Sequence, residues 1–590
     1  MTSPAERYAA ARTRSAAQRS QLGRFGRLLG FDLDPFQVRA CEALEAGNGV
    51  LVAAPTGAGK TVVGEFAVHL ALAEGHKCFY TTPIKALSNQ KYGDLVARYG
   101  PAAVGLLTGD TSVNGDAPVV VMTTEVLRNM LYAGSPTLRG LGYVVMDEVH
   151  YLADRFRGAV WEEVIIHLPE SVRLVSLSAT VSNAEEFGDW LVTVRGATTV
   201  VVEEHRPVPL WQHILAGRRL HDLFVAPDGA PAPPPGGPAG RTGGGLVVNP
   251  ELVRLAREDA RRLRQRDRAG DGRGRPRPPG VPDRVEVLDV LAGAGLLPAI
   301  TFVFSRAGCD AAVVQCLRAG VRLTDDEERR TIRDVVEQRC AGLPEEDLLV
   351  LDYGTFLEGL QRGVAAHHAG LLPTFKETVE ELFAAGLVKA VFATETLALG
   401  INMPARSVVL ERLVKWNGET HADITPGEYT QLTGRAGRRG IDVEGHAVVL
   451  WQPGLDPVAV AGLASTRTYP LRSSFRPSYN MAVNLVRQFG RDRTRELLES
   501  SFAQFQADRA VVGMARQVRH DEARLDEYAE AMRCHLGDFA EYAALRRAVA
   551  ERETTLARQG GAARRAATVT ALEQLRPGDV VEVPGGRRAG

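Results

Sequence analysis

"GVLVAAPTGAGKT", residues 49–61, decides the fold. Val50 to Ala53 form an apolar run that reads as a buried strand. Gly57 and Gly59 punctuate a loop, and "TVVGEFAVHLALAEG" (61–75) then carries apolar residues at helical spacing up to Gly75. A strand that runs into a glycine loop and opens a helix is the context of a phosphate-binding loop. The glycines let backbone N–H groups turn onto phosphate oxygens, and the helix N-terminus adds positive potential. Lys60 is placed to reach the β- and γ-phosphates, and Thr61 offers a hydroxyl to Mg²⁺. Ala54, Pro55, Thr56, Gly57, Ala58 and Gly59 form the cradle, with Ala54 where the general pattern has its first glycine.

A second stretch, "GYVVMDEVHYL" (142–152), supplies acids. Tyr143 to Met146 read as another buried strand, and Asp147 and Glu148 stand together at its end. Adjacent carboxylates there are expensive unless a cation faces them. Beside a glycine loop, Asp147 is placed to hold Mg²⁺ and Glu148 to orient or deprotonate an attacking water. A surface acid pair capping a helix is the plainer alternative, and the loop outweighs it. His150, taken alone, reads equally well as a packed core histidine.

The same grammar continues along the chain. "KCFYTTP" (77–83), "APVVVMTT" (117–124) and "VRLVSLSAT" (172–180) read as buried strands, each followed by polar or helical sequence. A second series follows, with "LPAITFVFSR" (297–306), "GVAAHHAGLLP" (363–373), "VKAVFATETLALGINMP" (388–404) and "GHAVVLWQP" (445–453). Near-continuous apolar strands alternating with helices predict parallel sheets covered on both faces, in two lobes. Residues 226–248 and 268–284 are rich in Pro and Gly and flank a charged helical piece, 250–268. They predict a disordered insertion over 217–284. Beyond Pro453 the β-rich style stops. Long charged helices follow to about 568, and the last residues begin a new β pattern.

Bulk properties exclude more than they assign. At 590 residues the chain exceeds what one core serves. Net charge is -1, so any nucleic-acid binding must come from a lined groove and not from bulk basicity. The six cysteines are scattered without C-x-x-C spacing, which argues against a zinc site or disulfide framework and for a reducing cytoplasm. No apolar run approaches the ~20 residues that span a bilayer, so no membrane is expected. The Arg- and Ser-rich N-terminus lacks the apolar region of a secretory signal and reads as a solvated basic arm or helix.

Taken in order, the motifs resemble those of superfamily 2 helicases. "APTGAGKT" (54–61) is similar to motif I, "TTPIKALSNQKY" (81–92) to Ia, "TGD" (108–110) to Ib, "TTEVLRNML" (123–131) to Ic, "DEVH" (147–150) to II and "SAT" (178–180) to III. "FVFSR" (302–306) resembles motif IV, "ATETLALGINMP" (393–404) motif V and "QLTGRAGRRG" (431–440) motif VI. "FDLDPFQ" (31–37), "HHAGLLP" (367–373) and "SSFRPSYNMAVNL" (473–485) narrow the resemblance to the Ski-like subgroup. That subgroup holds exosome-associated RNA helicases and bacterial HelY-type helicases.

The resemblance implies an α/β fold of two tandem RecA-like P-loop domains, then a winged-helix module and the start of a helical stalk. The implied boundaries are a basic arm over 1–30, lobe one over 31–203, lobe two over 204–455 and a winged-helix-like module over 456–515. A stalk over 516–575 and an incomplete β-barrel start over 576–590 complete the series. Relatives add a further helical bundle, so a truncated product or a minimal form is the expectation.

The resemblance also implies roles. Phe31 stacks on adenine and Gln37 bonds its edge, which makes ATP, with Mg²⁺, the expected cofactor. Gly400 and Asn402 face the nucleotide, Gln431 positions water, and Arg435 and Arg438 reach the γ-phosphate, worth roughly 10³–10⁵ in rate where measured. Arg439 reads as a solvated helix charge. His150, Ser178 and Thr180 couple the lobes. Pro83, Lys85, Gly109, Thr124, Ser305, Arg306, His368 and Thr394 contact a nucleic-acid backbone. The implied function is ATP-dependent 3′→5′ unwinding by a cytoplasmic monomer on single-stranded or tailed duplex nucleic acid, RNA by preference, with an RNA-degradation partner. The rival readings are a DNA-repair helicase and an RNA-stimulated ATPase or clamp that does not unwind. Finally, Asn417-Gly418 between extended runs predicts a hairpin, with Trp416 near its tip as a candidate strand-separating wedge.

Overall fold

The computed structural model describes residues 20–228, 230, 245–268, 280–398, 403–416, 420–466, 468–509 and most of 524–576. The chain divides into two units, Met1–Phe505 and Gln506–Gly590. In the first lobe of unit one the strands are β1 (Gly49–Ala53), β2 (Lys77–Thr82), β3 (Val104–Leu107), β4 (Ser112–Val113), β5 (Val119–Thr123), β6 (Leu141–Met146), β7 (Arg173–Ser178) and β8 (Thr198–Val202). They form one sheet in the order β4-β3-β5-β2-β6-β7-β1-β8, parallel except for the β3–β4 pair.

Both faces of this sheet are dry, because alternate residues of each strand enter different cores. Val50 and Val52 pack on one side, with Tyr143 and Val145, against the helices Pro35–Glu45 and Thr61–Glu74. Leu51 and Ala53 pack on the other, with Val144 and Met146, against Thr124–Ala133, Ala159–His167 and Ala184–Arg195. Such burial on two sides is what continuous apolar strands require.

The second lobe contains β9 (Leu210–Ala216), β10 (Arg219–Asp222), β11 (Phe224–Val225), β12 (Val247–Val248), β13 (Ala299–Phe302), β14 (Val364–His367), β15 (Ala390–Ala393), β16 (Ser407–Leu410), β17 (Val414–Trp416), β18 (His421–Asp423) and β19 (Gly445–Leu450). Its main sheet runs β10-β9-β19-β16-β13-β15-β14, with only β9–β10 antiparallel. β17 and β18 pair as the expected hairpin, Trp416 opposite His421, while Asn417 and Gly418 lie outside the described residues.

The structure corrects the expected insertion over 217–284. β10 joins the main sheet and β11 pairs with β12. In the helix Pro250–Arg268, Leu252 is buried in the lobe-two core and Asp259 accepts from Trp451 Nε1 at 2.7 Å. Leu252, Leu255 and Ala256 form a narrow apolar stripe that the surrounding arginines hide. The Pro/Gly-rich 231–244 and 269–279 lie outside the described residues. Within the expected arm Gln21–Gly26 is a helix whose Phe25 is fully buried beside Phe66, and residues 1–19 lie outside the described residues.

The described residues of 456–509 hold helices at Pro457–Ser465 and Tyr479–Glu499 joined by an irregular stretch, and they divide between the lobes. Pro457–Ser465 packs on lobe two through Val460 and Ala461. Leu471 and Phe502 enter the lobe-one core, and Trp190 Nε1 donates to Ser500 O at 2.8 Å. The described part of the expected winged-helix-like module thus packs on both lobe cores, and residues 510–515 lie outside the described residues. In unit two the expected stalk includes the helix Phe539–Glu573; residues 577–590, within the expected barrel start, lie outside the described residues.

Candidate nucleotide site and nucleic-acid face

The phosphate loop joins β1 to the helix Thr61–Glu74. Gly57 and Gly59 both take left-handed φ, 82° and 88°. Only Gly59 is also crowded: a Cβ there would lie 2.8 Å from Gln37 Nε2 and 3.1 Å from Arg439 Nη1. Lys60 is buried, and its Nζ donates to Ala54 O at 2.8 Å and Pro55 O at 3.2 Å. Burial pushes its ammonium below the ordinary range, against the opposing pull of Glu148 and Asp147. Gln37 is buried and braces the loop: Nε2 donates to Gly59 O at 2.9 Å, and Oε1 accepts from Asp34 N at 2.8 Å. Phe31 is 54% exposed at the surface.

Asp147 sits at the end of β6, where Oδ2 accepts from Tyr80 O–H at 3.0 Å and Oδ1 from Glu148 N–H at 3.0 Å. Burial first, and then the charge of Glu148, push its carboxyl up to about 6. Glu148 adopts φ 53°, a left-handed conformation rare for a residue with a side chain and a mark of functional sites. Burial pushes its carboxyl up, but His150, Lys60 and Arg435 outweigh this and hold it below the usual range. His150 Nδ1 accepts from Ala179 N–H at 3.2 Å, so the ring proton belongs on Nε2. The 3.4 Å approach of Glu148 Oε2 to that same Nδ1 is therefore no ion pair, and burial keeps the ring neutral. Lys60 and Arg435 are then the permanent cations that act on Glu148. Ser178 Oγ is buried with no protein partner and Thr180 is buried in the same segment, so this loop ties to the acids through His150.

Thr61 and Asp147 offer hard oxygens, the donors Mg²⁺ takes. No group of three His, Cys, Asp or Glu capable of holding a metal exists among the described residues. A buried carboxylate whose nearby cations, Lys91 and Lys60, do not offset its burial, beside a phosphate loop, fits a metal that arrives with phosphates and not one caged by protein.

Motif VI of lobe two abuts the loop directly. A Cβ on Gly434 would lie 3.1 Å from Thr56 Cβ. Arg435 is buried, donates to Ala398 O at 2.6 Å and faces Glu148. Gln431 is half-buried on the helix Pro426–Thr433. The other two arginines reverse their expected parts. Arg438 is forked onto Asp442 of its own lobe, at 2.8 and 2.9 Å. Arg439 crosses the cleft instead, to Ala58 O at 2.8 Å and to Asp34 Oδ1 and Oδ2 at 2.9 and 2.8 Å. Asp34 went unread in the sequence, although Asp34-Pro35-x-Gln37 is a helix N-cap signature. Gly400 and Asn402 lie outside the described residues.

The expected nucleic-acid residues all sit at carboxyl ends of parallel strands. Pro83 follows β2, Gly109 is two residues past β3, and Thr124 follows β5. Ser305 and Arg306 follow β13, His368 follows β14, and Thr394 follows β15. Strand order separates the two sites. β6, β7 and β1 carry the nucleotide residues, whereas β3, β5 and β2 are adjacent on the other half of the sheet. Ligands of α/β sheets bind outside these strand ends. Individual residues differ in what they can offer. Lys85 pairs with Asp110 at 2.6 Å and stays exposed. Ser305 caps its helix by accepting from Gly308 N–H, and Arg306 is exposed. Thr394 Oγ1 bonds Thr396 Oγ1 at 2.9 Å. Pro83 is buried. Thr124 corrects its reading, since the hydroxyl is fully buried and turns inward to Thr82 O at 3.3 Å. His368 is also buried, spoken for by Asp310 Oδ1 at 2.9 Å and Gly370 N–H at 3.1 Å.

Comparison with known proteins agrees with this layout. A DEAD/DEAH box helicase domain matches residues 34–187, and a helicase conserved C-terminal domain matches 343–440. The chain is similar to a probable helicase HelY of Mycobacterium tuberculosis, 63% identical over 576 residues, covering 97% of this chain and 62% of that protein. It is 61% identical over 581 residues to the probable helicase HelY of Mycobacterium leprae, covering 97% and 62%. To the exosome RNA helicase MTR4 of Mus musculus it is 37% identical over 517 residues, covering 86% and 47%. The chain thus spans at most 62% of the length of these relatives.

Proposed function

We propose, for a chain that carries the paired DEAD/DEAH box and C-terminal helicase domains and is homologous to HelY- and MTR4-type helicases, that it hydrolyses ATP to move along and separate nucleic-acid strands. One observation carries this reading. Motif VI of one lobe meets the phosphate loop of the other, where Gly434 stands against Thr56 and Arg439 donates to Ala58 O. A nucleotide between lobes is then positioned to feel what lies across both.

Bound Mg²⁺ would neutralise phosphate charge, with Thr61 and Asp147 as its protein ligands. Lys60 exchanges its loop carbonyls for phosphate oxygens. Glu148, acted on by the permanent cations Lys60 and Arg435, accepts the proton of the attacking water, and Gln431 helps orient that water. Arg435 stabilises charge that develops on the phosphoryl group. Gln37 braces the loop and recognises adenine with its remaining hydrogen-bonding capacity, with Phe31 beside it. Hydrolysis is fast only with the lobes closed, which links it to nucleic acid in the groove.

RNA is the proposed substrate, moved over in the 3′→5′ direction in the cytoplasm, with an RNA-degrading machine as partner. The homology to an exosome RNA helicase supports this. No helix among the described residues is long and apolar enough to cross a membrane. The test is ATPase stimulation by single-stranded RNA against DNA, with unwinding of 3′-tailed duplexes of each. Stronger stimulation by DNA favours the repair reading. RNA-stimulated hydrolysis without strand separation favours the clamp.

A further inference from the structure

The main chain crosses between lobes for a second time at a short strap. Up to Thr466 it belongs to lobe two, where Thr466 O accepts from Thr430 Oγ1 at 3.4 Å. From Tyr469 it belongs to lobe one. Tyr469 bridges Val181 in parallel register, and its carbonyl accepts from Ser182 N–H at 3.0 Å. Asn183 then grips Leu471 from both sides, Nδ2 to O at 2.9 Å and Oδ1 from N–H at 2.6 Å. Ser474 Oγ donates to Leu152 O at 2.8 Å, at the end of the turn that follows Glu148.

The backbone of Tyr469 is thus fixed to lobe one immediately beyond "SAT", the loop that His150 holds. Its ring packs against the lobe-one core and also reaches lobe two. A Cβ on Gly427 would stand 3.1–3.2 Å from three ring atoms, so ring and helix are in direct contact. Gly427 belongs to Pro426–Thr433, the helix that carries Gln431 and leads into Arg435. Burial and the charge of Glu148 both push the Tyr469 phenol up, which places the ring within the field of the catalytic acid. One aromatic ring therefore spans the loop behind the acids and the helix that presents the arginine.

We propose that Tyr469 is a positioning residue that transmits lobe closure to the hydrolytic site, by ring contact with Gly427 of the motif VI helix. The proposal rests on the helicase reading above. The ring, not the hydroxyl, makes the contact, and the contact acts on turnover and not on ATP binding.

The test is steady-state ATPase of the full chain with and without poly(U), for the parent, Tyr469→Phe, Tyr469→Ala, Gly427→Ala and the Gly427→Ala/Tyr469→Ala pair. Tyr469→Phe should stay within about twofold of the parent. Tyr469→Ala should lower RNA-stimulated kcat about tenfold, a coupling of the size neighbouring residues show, with KM for ATP little changed. Gly427→Ala should lower kcat in the parent, where the new methyl displaces the ring, and add nothing in the Tyr469→Ala background. Thermal unfolding of each variant separates loss of folding from loss of turnover. Independent, multiplying losses from the two substitutions overturn the proposal, as does a loss in Tyr469→Phe as deep as in Tyr469→Ala. So does an effect confined to KM or melting temperature. A parent that neither poly(U) nor single-stranded DNA stimulates overturns the helicase reading itself, and this proposal with it.

Discussion

Arg439 lies across the inter-lobe cleft on Asp34, its Nη2 2.8 and 2.9 Å from the two carboxylate oxygens, while its Nη1 bonds the carbonyl of Ala58 inside the phosphate loop. The pair is part-exposed, so its charge attraction alone is modest. The hydrogen bond from a charged donor to Ala58 adds more. Arg439→Gln should cost the closed arrangement about 1–2 kcal/mol, a factor of about 5–30 in its population. Asp34→Asn preserves the helix cap, because Asn caps as well as Asp, and so removes little beyond charge. It should lower stimulated kcat/KM less than Arg439→Gln does. In the Arg439→Gln background it should have almost no effect, and an equal effect in both backgrounds would falsify the bridge.

The acids separate binding from chemistry. Glu148 is the ionised base, whereas Lys60 meets the phosphates. Glu148→Gln should retain nucleotide binding and lose turnover by about 10²–10⁴, the usual contribution of a positioned base. Lys60→Ala should weaken binding as well as turnover. Fluorescent nucleotide titration beside an ATPase assay distinguishes them, and a Glu148→Gln enzyme that turns over near the parent's rate removes Glu148 from its role.

How far the sequence speaks depends on how local the physics is. The phosphate loop is contiguous, so strand, glycines and helix start are legible in thirteen letters. The acid pair is legible because its cost demands a partner. Arg438 and Arg439 are adjacent letters with identical chemistry, and their spacing cannot say which guanidinium meets Asp442 and which crosses to another lobe. That choice is made by Asp442, four residues downstream of Arg438, and by Asp34, some four hundred residues upstream. Thr124 shows the same limit, because only the neighbouring strand decides that its hydroxyl turns to Thr82 O. The helix Pro250–Arg268 is hidden by composition: its apolar stripe is three residues wide among arginines and carboxylates.

The hairpin offers a separable test. Lys415 ties its base to Glu395 and Glu428, joining the segments on either side of it, and Trp416 remains 54% exposed with its ring edge-on to His421 at 5.2 Å. Trp416→Ala leaves the Lys415 ties intact. If this tryptophan separates strands, the variant should unwind 3′-tailed duplexes several-fold more slowly while RNA-stimulated ATPase is unchanged. Parallel loss of both activities makes the hairpin an ordinary structural connection.

Asp147 gives the site a pH dependence. Its carboxyl, pushed up to about 6 by burial and by Glu148, must lose its proton to hold Mg²⁺. Apparent Mg²⁺ affinity in the presence of ATP should therefore be flat above about pH 7 and fall up to tenfold per unit below pH 6. Isothermal titration of Mg²⁺ at several pH values reads this directly. A flat profile between pH 5 and 7 excludes Asp147 as the protonated competitor.

Glu162 predicts a stability profile that the parent and one variant distinguish. It is fully buried on the lobe-one helix Ala159–His167, accepts from Phe502 N–H at 2.8 Å, Ala503 N–H at 3.4 Å and Ser473 O–H, and so anchors the post-lobe segment. Burial pushes its carboxyl up to about 7, against those three donors. The folded state thus holds the proton more tightly than the unfolded state, whose carboxyl ionises near the ordinary 4.5. Stability then falls as pH rises through this window and levels off above 7, by about 3 kcal/mol in all. Glu162→Gln keeps the shape and one acceptor but cannot ionise, so its melting temperature should decline less than the parent's between pH 5 and 8. Glu162→Ala strands three donors and should lower stability at every pH, by about 2–3 kcal/mol. Equal pH slopes in the parent and Glu162→Gln would mean that Glu162 is ionised throughout, held so by the two backbone amides and Ser473.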